Sequence, residues 1–287
     1  MNKAIVKEKE DWTMVIVPKS GWWDLKLGDI WQYRDLLMLF VRRDFVAVYK
    51  QTVLGPLWFF IQPILTTMIF TVIFGRVAKI PTDGLPQVLF YMTGIVGWGY
   101  FASCFSKTSS TFTANAGIFG KVYFPRMIIP LSIIISNLIK FGVQFTLLLC
   151  FLFFYIITGA NVNPNIYILL TPLLLLMMAG IGMGFGIIIS SMTTKYRDLQ
   201  FLVGFGVQLL MYVTPVVYPL SFLPGKYRWI ILANPMTSII ETFKFSYLGA
   251  GTFNPLHLAY SFCFMVILLL IGLLVFHKVE KTFMDTV

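Results

Sequence analysis

Residues 166–191 read IYILLTPLLLLMMAGIGMGFGIIISS, without one charged side chain. A helix needs about 20 mainly apolar residues to cross about 30 Å of hydrocarbon, so this stretch predicts a transmembrane helix. Inside it Gly180, Gly182, Gly184 and Gly186 alternate. They form two overlapping small-x-x-x-small pairs, the pattern that lets a neighbouring helix backbone come close. A glycine-rich ligand loop is not expected, because no strand precedes the run and its surroundings are apolar. Working outward, comparable apolar runs stand at about 57–75, 88–106, 128–157, 199–219 and 256–276. The expectation is an all-α integral membrane protein with six transmembrane helices.

Composition agrees. Of 287 residues 58% are hydrophobic and 12% charged, and 28 are Phe, an excess over ordinary soluble domains. Lys and Arg number 22 against 12 Asp and Glu, a surplus that suits nucleic acid or the cytoplasmic face of a bilayer. The mean hydropathy of +0.82 decides for membrane lipid, and no nucleic-acid partner is expected. Cys104, Cys150 and Cys263 are far apart in apolar stretches, and His257 and His277 have no carboxylate motif between them. Neither a disulfide framework nor a zinc-hydrolase site is indicated, and no metal is expected. The Gly-Lys pairs at 120–121 and 225–226 are followed by Val and Tyr, so there is no phosphate loop. The chain does not bind ATP by that route.

Charge asymmetry sets the orientation. With an interior amino terminus, the interior segments hold 16 Lys and Arg; the other side holds five, Arg76, Lys79, Lys226, Arg228 and Lys244. Both termini are expected in the cytoplasm. Lys3, Glu8, Glu10 and Asp11 open a long polar region unlike a signal peptide, so the amino terminus is expected to stay uncleaved.

Two segments fall outside the span pattern. From Ile30 to Val53, Leu36, Leu37, Phe40, Val41, Phe45 and Val48 recur at helical spacing, with Arg34, Arg42, Arg43 and Lys50 largely off that stripe. An N-terminal amphipathic interfacial helix is expected; the alternative is a helix packing on its own protein. Between the fifth and sixth spans, Pro219, Pro224, Pro235, Gly249, Gly251 and Pro255 surround an apolar stretch, Met236–Leu248, too short to cross. A short re-entrant or interfacial element on the outer side is expected there. The domain layout is therefore a cytoplasmic segment 1–29, an interface helix 30–53, a six-span membrane domain 54–280 and a cytoplasmic tail 281–287.

The six spans hold no Asp or Glu, so transport driven by an ion gradient is not expected. Lys140 is the one charge at depth and shares a helical face with Asn137 and Gln144, which either lines a polar pathway or meets a polar neighbour. Gln62-Pro63 and Thr214-Pro215 free backbone carbonyls and allow bends.

Several strings carry a family resemblance. YKQTVLGPLWFFIQPILTTMIFTVIFG (Tyr49–Gly75) resembles the first-span region of ABC-transporter permeases that export polysaccharides and polyol phosphates. KVYFPRMIIPLS (Lys121–Ser132) resembles their loop before the third span, and GIGMGFGIIISSMTTKYRDLQ (Gly180–Gln200) their glycine-rich fourth span. TPVVYP (Thr214–Pro219) and NPMTSIIETFK (Asn234–Lys244) resemble their outer gate region, and the tail VEKTFMDTV is similar to that of O-antigen export permeases. The matches run in family order from about Trp22 onward.

The resemblance implies a non-catalytic half-transporter. A second copy completes the channel, two copies of a separate ATP-binding cassette ATPase dock beneath it, and a lipid-linked glycan moves outward across the inner membrane. ATP and Mg belong to that partner; no cofactor is expected on this chain. Short re-entrant outer gate helices are implied between spans five and six. Coupling to the ATPase is implied for Arg42, Arg43, Lys121, Arg126, Arg197 and Asp198, whose bland alternative is positive-inside anchoring. The first and fifth spans are implied to surround the channel. Phe59, Gln62, Thr66 and Phe70, and Phe201, Phe205, Gln208 and Tyr212, each recur at spacings of three and four, so each set follows one helical side. Rings can stack on sugar faces while Gln and Thr exchange hydrogen bonds with hydroxyls; helix packing uses the same residues. Other readings are export of teichoic-acid-like polyol phosphate, lipid or drug, and, more distantly, a prenyl-lipid glycosyltransferase. An enzyme of that kind would need carboxylates near a membrane face, and the interior loops offer only Asp198.

Overall fold

The structure, a computed structural model, describes residues 31–50, 52–122, 124–196 and 198–282. The expected segment 1–29, Arg197 and residues 283–287 lie outside them. The described residues form helices and loops, with no strand among them.

Helix α1 is Arg34–Tyr49. Helix α2, Gly55–Val77, opens with a 3₁₀ turn, carries Pro63 inside and ends in a π-helical stretch, Thr71–Val77. Then come α3, Gln87–Thr108, two single turns, α4 (Thr111–Ala114) and α5 (Ala116–Phe119), and α6, Ile128–Ile157. The stretch quoted at the outset is α7, Ile166–Thr193; α8 follows at Leu199–Val213. The chain closes with α9 (Gly225–Ala233), α10 (Pro235–Leu248) and α11 (Pro255–Thr282).

Five of these, α2, α3, α6, α7 and α11, are long and apolar enough to cross a membrane. The fifth expected span, 199–219, is shorter than its hydropathy suggests. Its helix α8 has 15 residues, about 22 Å at 1.5 Å each. The cause is Pro215, which forces the preceding Thr214 into extended backbone at ψ 143° and ends the helix.

α3 and α7 form the centre: 67% and 61% of their most apolar stretches are buried, against 22% for α2, α6 and α11. Residues two apart on a helix point about 200° apart, so alternating glycines serve opposite faces. A Cβ on Gly182 would lie 3.1 Å from the Phe101 carbonyl oxygen, and one on Gly186 2.5 Å from the Thr108 Cβ, both on α3. Gly180 and Gly184 instead face α11, where a Cβ would meet Met265 Sδ at 2.5 Å and Leu268 Cγ at 2.8 Å. The two small-residue pairs thus seat two different neighbours.

A second apolar cluster occupies one end. Phe40 of α1 joins Phe112, Phe119, Phe124, Ile128 and Phe276, with Phe112 stacked on Phe276 at 4.8 Å. Burying each such ring contributes on the order of 2 kcal/mol, enough to fix α1 and the 109–127 segment to the bundle. α1 buries Phe40 and Val41 and leaves Met38 and Leu39 exposed, as is Trp31 just before it.

α10 occupies the stretch where a short re-entrant or interfacial element is expected, and it is a largely buried helix. Asn234 caps it by accepting the Met236 N–H at 3.0 Å, Pro235 occupies its first turn, and Gly249 ends it at φ +77°. Met236, Ile239, Ile240, Phe243 and Tyr247 are all buried, as are Glu241 and Lys244 between them. Its start lines one cavity together with Phe101 of α3 and Ile181 of α7, while the Leu248 carbonyl at its end accepts the Asn163 N–H at 3.1 Å.

Candidate functional site

α8 buries only Val203 and Val207. Phe201, Phe205, Gln208 and Tyr212 stand on its open side, the first two 85% and 61% exposed. Their shared face is therefore present, with aromatic planes and an amide toward the outside. The α2 set is divided. Phe59 is buried, stacked on Phe45 at 5.5 Å, and Phe70 packs edge-on to Phe74 and Tyr91 at 5.2 and 6.5 Å. Thr66 is half-buried and donates its hydroxyl to the Gln62 carbonyl at 2.9 Å, while Gln62 is exposed. Pro63 and Thr67 mark the buried side of α2, and Gln62 lies about 60° around the axis from Phe59 in the other direction. The spacing is helical, but the stripe straddles the packing boundary.

Behind α8 lies a cavity of about 450 Å³, walled by Phe101, Ile181, Gly206, Leu210, Pro235 and Met236. α8 thus has an open face on one side and a void on the other. Its carboxy-terminal attachment is the corner Thr214–Pro219, buried apart from the half-buried Tyr218. There Lys244 donates from Nζ to the Pro215 carbonyl at 2.6 Å and the Val216 carbonyl at 3.1 Å, and lies 3.6 Å from the Phe90 ring centre. Glu241, one turn earlier, accepts the Thr252 N–H at 3.2 Å. Asn234 donates from Nδ2 to the Thr214 hydroxyl at 2.8 Å.

The sequence reading missed this corner by counting Lys244 only as a charge of the second side. With Lys244 removed, the second side of the charge count falls from five to four, and the asymmetry keeps its sign. The available signal was a Lys inside an apolar stretch that follows the Thr214-Pro215 and Asn234-Pro235 breaks, since such breaks leave carbonyls needing donors.

Of the expected coupling residues that are described, Arg43 and Arg126 lie against the second apolar cluster. Arg43 pairs with Asp44 at 2.8 Å and lies 4.6 Å from the Phe40 ring centre; Arg126 lies 5.5 Å from that of Phe119. Arg42, Lys121 and Asp198 are exposed. Three long-range hydrogen bonds stitch the segments beneath them: Phe112 N–H to Ser190 Oγ at 3.1 Å, Thr193 Oγ1 to the Ser109 carbonyl at 3.4 Å, and Gln200 Nε2 to Thr113 Oγ1 at 2.7 Å. The 109–113 segment is thereby tied to the end of α7 and the start of α8.

Lys140 is half-buried; Asn137 and Gln144 are buried. Asn137 donates to the Ile133 carbonyl of its own helix at 2.8 Å, and Gln144 turns toward Gly99 of α3. Among the described residues no three His, Cys, Asp or Glu side chains converge to hold a metal.

The family model described as ABC-2 type transporter matches residues 35–248, from the first turn of α1 to the last residue of α10. The chain belongs to the ABC-2 type transporter family. The O-antigen export system permease protein RfbA of Klebsiella pneumoniae is 31% identical over 252 residues, 88% of this chain and 94% of that protein. RfbA of Myxococcus xanthus is 28% identical over 75% of this chain and 81% of its own length. The polysialic acid transport protein KpsM of Escherichia coli is 21% identical over 81% and 89%. In this ABC-2 permease the matched region takes in the second apolar cluster apart from Phe276, the α8 face and the Lys244 corner, and stops before α11.

Proposed function

We propose that this ABC-2 permease exports a lipid-linked polysaccharide, an O-antigen chain, across the bacterial inner membrane. The observation that carries this is the 31% identity to an O-antigen export permease, spread over 88% of this chain rather than over one motif. Two copies enclose the channel, and two separate ATPase subunits bind ATP and Mg beneath them. The missing phosphate loop in the sequence supports assigning hydrolysis to that partner.

Within this reading α1 lies along the cytoplasmic interface with Trp31, Met38 and Leu39 toward lipid. α8 completes the membrane crossing together with the corner that follows it. α9 and α10 form the outer gate as a re-entrant pair, supported by the reach of Asn234 and Met236 to the cavity between α3 and α7. The face Phe201, Phe205, Gln208 and Tyr212 borders the glycan. Rings on sugar faces and single amide hydrogen bonds hold a polymer weakly enough to slide. Arg42, Arg43, Lys121, Arg126, Arg197 and Asp198 receive the ATPase, and both termini are cytoplasmic.

Deleting the gene in its host is expected to abolish surface O-polysaccharide and leave the lipid-linked chain inside the cell; unchanged surface polysaccharide overturns the reading. Orientation is tested by single cysteines in a background lacking Cys104, Cys150 and Cys263. Asn163 and Gly225 positions should label from outside, Thr113 and Thr194 positions only from within. Thr82 is a poor reporter for the same purpose, being buried with its hydroxyl on the Leu85 carbonyl at 2.7 Å.

A further inference from the structure

We propose that Lys244 is a positioning residue for export, whose buried ammonium locks the corner after α8 to α3 and α10 so that α8 and α10 move as one body. The proposal rests on the export reading above.

A lysine that is 1% exposed among apolar side chains costs free energy unless its three protons and its charge are compensated. Here the compensation comes from two backbone carbonyls, one ring face and the charge of the buried Glu241 carboxylate one turn earlier on α10. Both carbonyls lie past the end of α8, where the helix has no donors to offer them. Pro215 adds to the deficit because it brings no N–H of its own. The Val216 N–H is already turned back on the Thr214 carbonyl at 2.6 Å. Lys244 therefore supplies donors that the local backbone does not.

The same corner is fitted from α3. A Cβ on Gly94 would lie 2.8 Å from the Val216 carbonyl oxygen, so the corner sits there only because position 94 has no side chain. Asn234 holds its third side through Thr214. By contrast the body of α8 is lightly seated, with Val203 and Val207 as its buried residues and the cavity behind it. A displacement of α10 thus reaches the open face of α8 mainly through the corner. Breaking the lock should uncouple the two helices and leave the central α3–α7–α11 packing untouched.

The test uses the permease with its ATPase in membrane vesicles, in the background lacking native cysteines. Val217→Cys reports on the corner, being 3% exposed, and Leu248→Cys, 1% exposed, reports on the far end of α10. Lys244→Met should raise thiol labelling at position 217 about tenfold by local opening, leave position 248 protected, and cut glycan export several-fold while ATPase assembly persists. Lys244→Arg, which keeps charge and donors, should hold position 217 protected. Gly94→Ala should release the corner from the opposite side without touching Lys244, and it decides the matter if Lys244→Met fails to insert. Protection of position 217 in both Lys244→Met and Gly94→Ala, or normal export by both, overturns the proposal. If the parent itself moves no glycan the export reading falls, while the labelling comparison still judges the lock.

Discussion

α7 and α8 are both apolar helices with glycines two apart, yet they live in opposite environments. Each of the four alternating glycines of α7 is pressed by a neighbouring helix at about 3 Å from where a Cβ would stand. Around Gly204 and Gly206 of α8 nothing comes within 4 Å of that position. The same residue type is a packing requirement in one helix and spare room in the other. A helix held on both faces is scaffold; one held at its ends, with a void behind and aromatic rings in front, is a part that can shift.

Gly186→Leu should break that contrast most severely. Its side chain would collide with Thr108 and the Phe105 carbonyl, costing about 3 kcal/mol or more because a close-packed interface must part. Thermal unfolding of the detergent-solubilised protein should reveal this as a large fall in stability, whereas Gly204→Leu should behave nearly as the parent does. Comparable losses at both positions would mean that α8 is as tightly held as α7.

The α8 face comes next. Gln208→Ala with Tyr212→Ala should reduce export of long chains several-fold, each lost hydrogen bond or ring contact being worth about 1 kcal/mol. A bulky thiol reagent at Gln208→Cys should stop export. At Gln62→Cys it should also label freely, whereas Phe59→Cys should resist labelling because Phe59 is buried. Undiminished export from fully labelled protein at positions 62 and 208 would remove both from the channel.

Arg126→Ala is expected to lower export and transport-coupled ATPase activity to a moderate degree while insertion stays intact. Its contact with the Phe119 ring contributes only about 0.5–1 kcal/mol to stability at a partly exposed site. Loss of insertion with normal export by the surviving protein would instead make Arg126 an anchor. Smallest of all, Gly206→Ala should change stability by no more than about 1 kcal/mol, in the stabilising direction, since the helix gains propensity and meets no neighbour. A clear destabilisation would place a partner where this chain has none.

The sequence by itself determined that the chain is helical and built for lipid, because hydrocarbon length and helical rise are properties of a local run of residues. It also marked the helix ends at Pro235 and Gly249 and the α8 side that bears Phe201, Phe205, Gln208 and Tyr212, since caps and helical spacing are local too. Tertiary structure alone decided that Gly180 and Gly184 face α11 while Gly182 and Gly186 face α3, and that Phe59 and Phe70 turn inward. It also decided that Lys244 leaves the charge count of the second side for a buried seat. That seat is made by carbonyls 28 and 29 residues away. Hydropathy scores the transfer of one segment into an apolar medium, whereas the cost of a buried charge depends on which distant groups the fold brings to meet it.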